Sequence, residues 1–361
     1  MGVFVFLPLV LPLTAWPVAR LAEQRLHPRT ATRLLAAVAG VSAVCSTLCL
    51  GLLMIVGTAQ LPGNPLPDSW SDPDVRAALP YDEIAGRVAI PALLVVLVSC
   101  GAAAWRQVRV RRRVVAALGG LPPTTVAVLP DRTPYAYAVP GGPVRGGARG
   151  QGRKATGVGG GREPLDRARE PLGRGRGRER WGGRGRESWG GRGRVVVSTG
   201  MLAGLAPAER RALFAHERAH LTGRHHRHLL TVHLAARANP FLRPLRTAVS
   251  YTAERWADEE AAAEVGSRRS VARAIGKAAL LTPRAPAAGL PALTGGDAGP
   301  VPRRVAALMR PAPAGRAWPP AGTAVGLAAW CAAFGATVSA LSSANSAVTL
   351  YLVLRGAASP M

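Results

Sequence analysis

The sequence predicts a mainly α, multi-pass membrane protein: about four transmembrane helices, a cytoplasmic α+β domain between the third and fourth, and a disordered Arg/Gly-rich insert inside that domain. Three observations predict it. The 361 residues are 48% hydrophobic but only 5% aromatic, with Ala, Val and Leu gathered in blocks. The chain carries 46 Lys+Arg against 20 Asp+Glu, a formal charge of +26. Its 42 Gly and 31 Pro are more than one packed core accommodates. A soluble nucleic-acid binder of this charge would be polar throughout, so composition excludes a simple basic soluble domain. The four cysteines, Cys45, Cys49, Cys100 and Cys331, sit in apolar stretches without zinc-ribbon spacing, and read as small hydrophobes.

The spans come first. Residues 3–19, 34–57, 88–105 and 324–341 are each apolar over about 17–24 residues, enough to cross a hydrocarbon core of roughly 30 Å. No basic residue precedes the first stretch and several follow it, the reverse of a signal peptide, so it is expected as a retained span bent by Pro8, Pro12 and Pro17. Loop charge sets orientation. Arg20, Arg25, Arg29 and Arg33 follow the first span, and Arg106, Arg109, Arg111, Arg112 and Arg113 follow the third, whereas residues 58–87 are acidic. The positive-inside rule then puts both termini outside and residues 106–320 in the cytoplasm. The expected organisation is 1–105 for three spans with their loops, 106–320 for the cytoplasmic domain, and 321–361 for the last span and tail.

Within the domain, residues 145–194 hold 15 Lys+Arg, 5 Asp+Glu and 17 Gly, with WGGRGR at both 181–186 and 189–194. Such a segment cannot bury enough apolar surface to offset chain entropy, and disorder is expected. Its flanks, Tyr135–Val139 and Arg194–Thr199, read as two short strands, so the insert expands a hairpin tip. The second of these strands, at Val195–Thr199, is expected at a sheet edge, where an extended peptide can pair with it.

The strongest local signal is His216-Glu217-Arg218-Ala219-His220. Residues four apart share a helix face, so the two imidazoles can hold one ion with Glu217 beside it. Zinc suits this donor set: two imidazoles and one carboxylate leave a tetrahedral position for water, whose pKa the ion lowers to about 7. Glu217 is then the general base, not a ligand. Pro207 in a first turn and the absence of Gly until Gly223 support a helix here. A His-rich surface helix is the competing reading, since six of the seven histidines lie between His216 and His233.

A third ligand is expected from Tyr251–Ala261, a second helical stretch. Glu254 and Asp258 are four apart, so Glu254 can ligate while Asp258 orients a ligating imidazole; Glu259, Glu260 and Glu264 compete. His225, His226, His228 and His233 follow on a further helix; one of them, or Tyr251, can stabilise an oxyanion.

The series AYAVPG, VVVSTGML, LAPAERRALFAHERAHL and AERWADEEAA resembles the membrane-embedded zinc metallopeptidases of the gluzincin type, which include HtpX, the CAAX prenyl proteases and the BlaR/MecR antirepressor sensors. The resemblance covers about residues 135–263 outside the insert. It implies a zincin-type metallopeptidase domain with one zinc per chain, bound by His216, His220 and Glu254, with Glu217 catalytic and Asp258 supporting. The order of three spans, protease, one span is most similar to the BlaR/MecR branch, but only about 20 residues follow the last expected span, too few for a sensor domain.

The expected function is therefore a membrane-anchored zinc endopeptidase that takes a protein or peptide substrate. A different class competes: a regulatory membrane protein whose insert, with Trp181 and Trp189 among the arginines, engages anionic lipid, RNA or an acidic partner. Nothing in the sequence establishes a nucleic-acid partner.

Overall fold

A computed structural model describes residues 7–59, 82–118, 121, 124–141, 193–282, 301–313 and 322–357. Most of the insert, residues 142–192, lies outside the described residues, so the expectation of disorder there does too.

Three helices carry the apolar blocks: α3 (Pro28–Ala59), α4 (Asp82–Ala117) and α11 (Ala324–Ala357). Each contains a stretch long and apolar enough to cross a membrane, at Pro28–Ile55, Arg87–Ala117 and Gly326–Leu352. The remaining expected span, residues 3–19, begins outside the described residues. Its described part forms α1 (Leu7–Val10), a 3-10 turn (Leu11–Thr14) and the start of α2 (Ala15–Arg25), not one span-length helix. Pro8, Pro12 and Pro17 lie in this stretch, and each lacks the N–H that an uninterrupted helical ladder requires.

The remaining helices are α5 (Thr199–Gly204), α6 (Pro207–Thr222), α7 (His225–Ala238), α8 (Arg243–Val265), α9 (Arg268–Leu281) and α10 (Val301–Leu308). The longest of them, α8, links the two parts of the molecule. Its first turns enter a core with α3, in which Ala31, Leu35, Ala39 and Ala43, spaced by four on one face, meet Val232 and Ala235 of α7 and Leu242, Leu245, Ala248 and Val249. Small residues at that spacing let the backbones approach closely. Polar staples cross the same contact: Thr32 Oγ1 donates to Thr252 Oγ1 at 3.0 Å, and Asn239 Nδ2 donates to Ser46 Oγ at 3.1 Å. The last turns of α8 pack instead on α6, α9 and α10 through Ala212, Ala215, Ala261, Val271 and Leu308.

A three-stranded sheet stands beside α6: β1 (Val126–Leu129), β2 (Ala136–Val139) and β3 (Arg194–Ser198), in the order β1-β3-β2. The two flanks of the insert do pair, antiparallel, with Val139 opposite Arg194. The expectation that β3 is an edge is corrected, because β1 pairs with its other side in parallel, Val126 opposite Val195. The physical reason is burial. Val195, Val196 and Val197 are at most 1% exposed, as a β-branched run covered on both faces should be. The edge facing the helices is β2.

At the β3–α5 junction, Ser198 Oγ accepts from Met201 N at 3.1 Å and caps the helix. Gly200 packs there against the backbone of Arg132, whose carbonyl oxygen lies 2.0 Å from where a Cβ would be. Because a backbone atom cannot swing aside, Gly200→Ala is expected to destabilise the fold by about 1–3 kcal/mol. Thermal unfolding of the detergent-solubilised chain checks this, and an unchanged midpoint contradicts it.

Candidate metal centre

Helix α6 begins with Pro207 at its first position, where a missing N–H costs nothing. Glu209 Oε2 accepts from Ala206 N at 2.8 Å and from Lys277 Nζ at 2.9 Å, which fixes the first turn. These bonds, the backbone one foremost, hold its carboxyl below the usual range. The helix places His216, Glu217 and His220 on the wall of a cleft of about 380 Å³, opposite Glu254 of α8.

His216 Nε2 and His220 Nε2 are 3.1 Å apart, His216 Nε2 is 3.4 Å from Glu254 Oε2, and His220 Nε2 is 3.5 Å from Glu254 Oε1. Tetrahedral bonds of about 2.0–2.1 Å set donor atoms about 3.3–3.4 Å apart. Two imidazole nitrogens facing the two oxygens of one carboxylate at these separations suit one zinc-sized ion, and among the described residues this is the group of three able to hold a metal. Asp258 is fully buried one turn beyond Glu254, with Oδ1 3.1 Å from His216 Nδ1. That approach is off the line of an ideal hydrogen bond, yet close enough for the carboxylate to orient the ring.

Arg304 of α10 neutralises the pair of acids. Its guanidinium donates to both Asp258 oxygens, at 2.9 and 2.6 Å, and its Nη1 lies 3.0 Å from Glu254 Oε2. Burial acts to raise the Glu254 and Asp258 pKa values, but Arg304 and the imidazoles outweigh it and hold both below the ordinary carboxylate range. For His216 burial acts downward, and the neighbouring Asp258 and Glu254 carboxylates overcome it, raising the pKa to about 10. For Glu217 burial pushes the carboxyl up and outweighs the opposing influence of His220, His216 and Arg304.

The competing acids are engaged elsewhere. Glu259 pairs with Arg255 and Arg268, Glu260 accepts from Trp256 Nε1, and Glu264 pairs with Arg218. Among the other residues singled out, His226 lines the cleft, while Tyr251 is packed beneath the Arg303 guanidinium at 4.0 Å. Two functional neighbours were missed. No local spacing singles out Arg304, and His225, whose Nδ1 is 2.9 Å from His220 Nδ1, stands in the sequence only as one of several helix histidines. Burial pushes the His225 pKa down to about 2.

The sequence profile of Peptidase family M48 matches residues 188–237, well under half of the chain. The matched segment holds β3, α5, α6 and α7, and hence His216, Glu217 and His220; Glu254, Asp258 and Arg304 lie beyond it. Together with the His-His-Glu cluster, this supports a membrane-type zinc metallopeptidase. No curated protein and no solved structure matches the chain.

Removing the cation tests the electrostatics of the metallopeptidase site. Arg304→Met leaves two buried carboxylates uncompensated and is expected to lower stability by about 3–5 kcal/mol. Denaturant unfolding measures it, and a loss below about 1 kcal/mol, the range of an exposed pair, contradicts the burial of this network.

Proposed function

We propose that the chain is a membrane-anchored, gluzincin-type zinc endopeptidase whose catalytic face lies in the cytoplasm and which carries one zinc per chain. The triangle of donor atoms on His216, His220 and Glu254 carries this reading. Zinc held there supplies Lewis-acid chemistry, polarising water and the scissile carbonyl. Everything else falls to the chain. Glu217, on the same cleft wall and with a carboxyl already shifted upward by burial, takes the proton from the attacking water and returns it to the departing amine nitrogen. Asp258 orients the His216 ring, and Arg304 keeps Asp258 and Glu254 ionised and fixed. The cytoplasmic assignment rests on the basic loops after residues 19 and 105.

The edge strand β2 is the natural place for substrate backbone. Ser198 N donates to Tyr135 O, so in the antiparallel ladder residues 135, 137 and 139 face β3, and Ala136 and Ala138 turn their N–H and C=O groups outward. Both alanines line the cleft, where their small side chains leave room for an added strand. The cleft walls are otherwise largely apolar, with Met201, Leu213, Leu221, Val271 and Ile275, which favours substrates with apolar side chains next to the cut.

Two experiments test the proposal. Glu217→Gln should retain the zinc content of wild type while lowering kcat on unfolded casein by at least ~10²-fold; undiminished cleavage contradicts the assigned role. Ala138→Pro removes one outward N–H while sparing the ladder to β3. It should lower kcat/KM about 5–10-fold, the worth of one backbone hydrogen bond, with zinc content unchanged; unaltered kcat/KM removes β2 from substrate binding.

A further inference from the structure

Ligating histidines nearly always donate their second ring N–H to a carboxylate, a backbone carbonyl or water, which fixes tautomer and ring direction. His216 has Asp258 in that position. Among the described residues, the one carboxylate paired with His220 is Glu254, at Nε2 and not at Nδ1. Its Nε2 is turned toward His216 and Glu254, so as a ligand through Nε2 it carries its proton on Nδ1, and the atom 2.9 Å from that Nδ1 is Nδ1 of His225.

We infer that His225 is the positioning residue of the second metal-binding histidine: an imidazole whose Nδ1 accepts the His220 Nδ1–H and holds that ring toward the ion. This inference rests on the metal reading of the site given above. The surroundings of His225 are built to hold that ring in one place. Its side chain is 1% exposed, and its ring lies 4.5 Å from that of Trp256. Trp256 is covered in turn by the guanidinium groups of Arg29 and Arg33, at 5.5 and 5.2 Å.

The turn between α6 and α7 supplies the second observation. Only Gly223 and Arg224 separate the two helices, and Arg224 adopts the left-handed conformation, φ 51, ψ 39, which a non-glycine residue takes at a cost. A Cβ on Gly223 would lie 2.4 Å from His225 Nε2. The glycine and the strained arginine let α7 double back tightly enough for its first residue to reach the second ligand of α6. The Nε2–H of His225, aimed at this glycine, is buried without a hydrogen-bond partner, so it is the opposite nitrogen, Nδ1, that makes the polar contact.

Two substitutions separate hydrogen bonding from packing because they reverse each other. His225→Asn places an amide oxygen where Nδ1 was but removes the ring; His225→Phe keeps a ring against Trp256 but removes the acceptor. His225→Gln moves the acceptor one bond further out. Zinc affinity of the full-length chain in detergent, by competition with a chromogenic chelator, is the readout and needs no peptidase activity. The Phe and Gln variants should bind zinc about 10–100-fold more weakly than wild type, with Asn within about threefold of it. Affinity kept by Phe and lost by Asn would mean that the ring only packs, and affinity unchanged in all three would mean that it does nothing; either result overturns this inference alone. A wild-type chain that takes up no zinc overturns the metal reading itself, and this inference with it.

Discussion

Everything around the candidate site follows from burying two carboxylates one helical turn apart. Glu254 and Asp258 are within 7% of complete burial, where isolated charges would be intolerable. Arg304 meets both, and the His216 ring touches both from the other side. The arrangement ties three elements together: α6 brings the imidazoles, α8 the acids and α10 the guanidinium. Glu254, Asp258, His216 and Arg304 each meet at least one oppositely charged or polar partner within the same cluster. At Glu217 burial outweighs the pull of His220, His216 and Arg304 and pushes its carboxyl up, the direction that suits a proton acceptor.

The same helix that carries the acids also reaches the apolar helices. Its first turns share a core with α3, and Thr252, two residues before Glu254, is bonded to Thr32 near the start of α3. Arg29 and Arg33 from that start cover Trp256, two residues after Glu254. The turn of α8 that carries Glu254 is thus gripped by the first turns of a helix able to cross a membrane. Among the described residues, the candidate site and the span-length helix α3 share one packed core.

What could be read from the sequence was what depends on local spacing. The HExxH pair and the Glu254–Asp258 pair are both intervals of four on a helix, and Pro207 and Gly223 bound the first helix where expected. The two strands flanking the insert were legible from their β-branched and aromatic residues. What could not be read depends on contacts between distant segments. The place of β3 at the centre of the sheet requires knowing that Val126–Leu129 pairs with it across some 70 residues. Arg304 reaches Asp258 from a separate helix after a Gly/Pro-rich stretch, and no spacing rule connects them. His225 is near His220 in sequence, but its approach needs a left-handed arginine, which sequence patterns do not announce. In the first apolar stretch hydropathy does not register the three prolines, and the described part is a series of short helical pieces.

The central claim is that His216, His220 and Glu254 together hold zinc, and zinc K-edge absorption spectroscopy of the purified full chain tests it most directly. The account predicts a four-coordinate shell with two imidazole nitrogens and carboxylate or water oxygens at about 2.0–2.2 Å. A shell of sulfur at about 2.3 Å, or one of oxygens without imidazole, would contradict it.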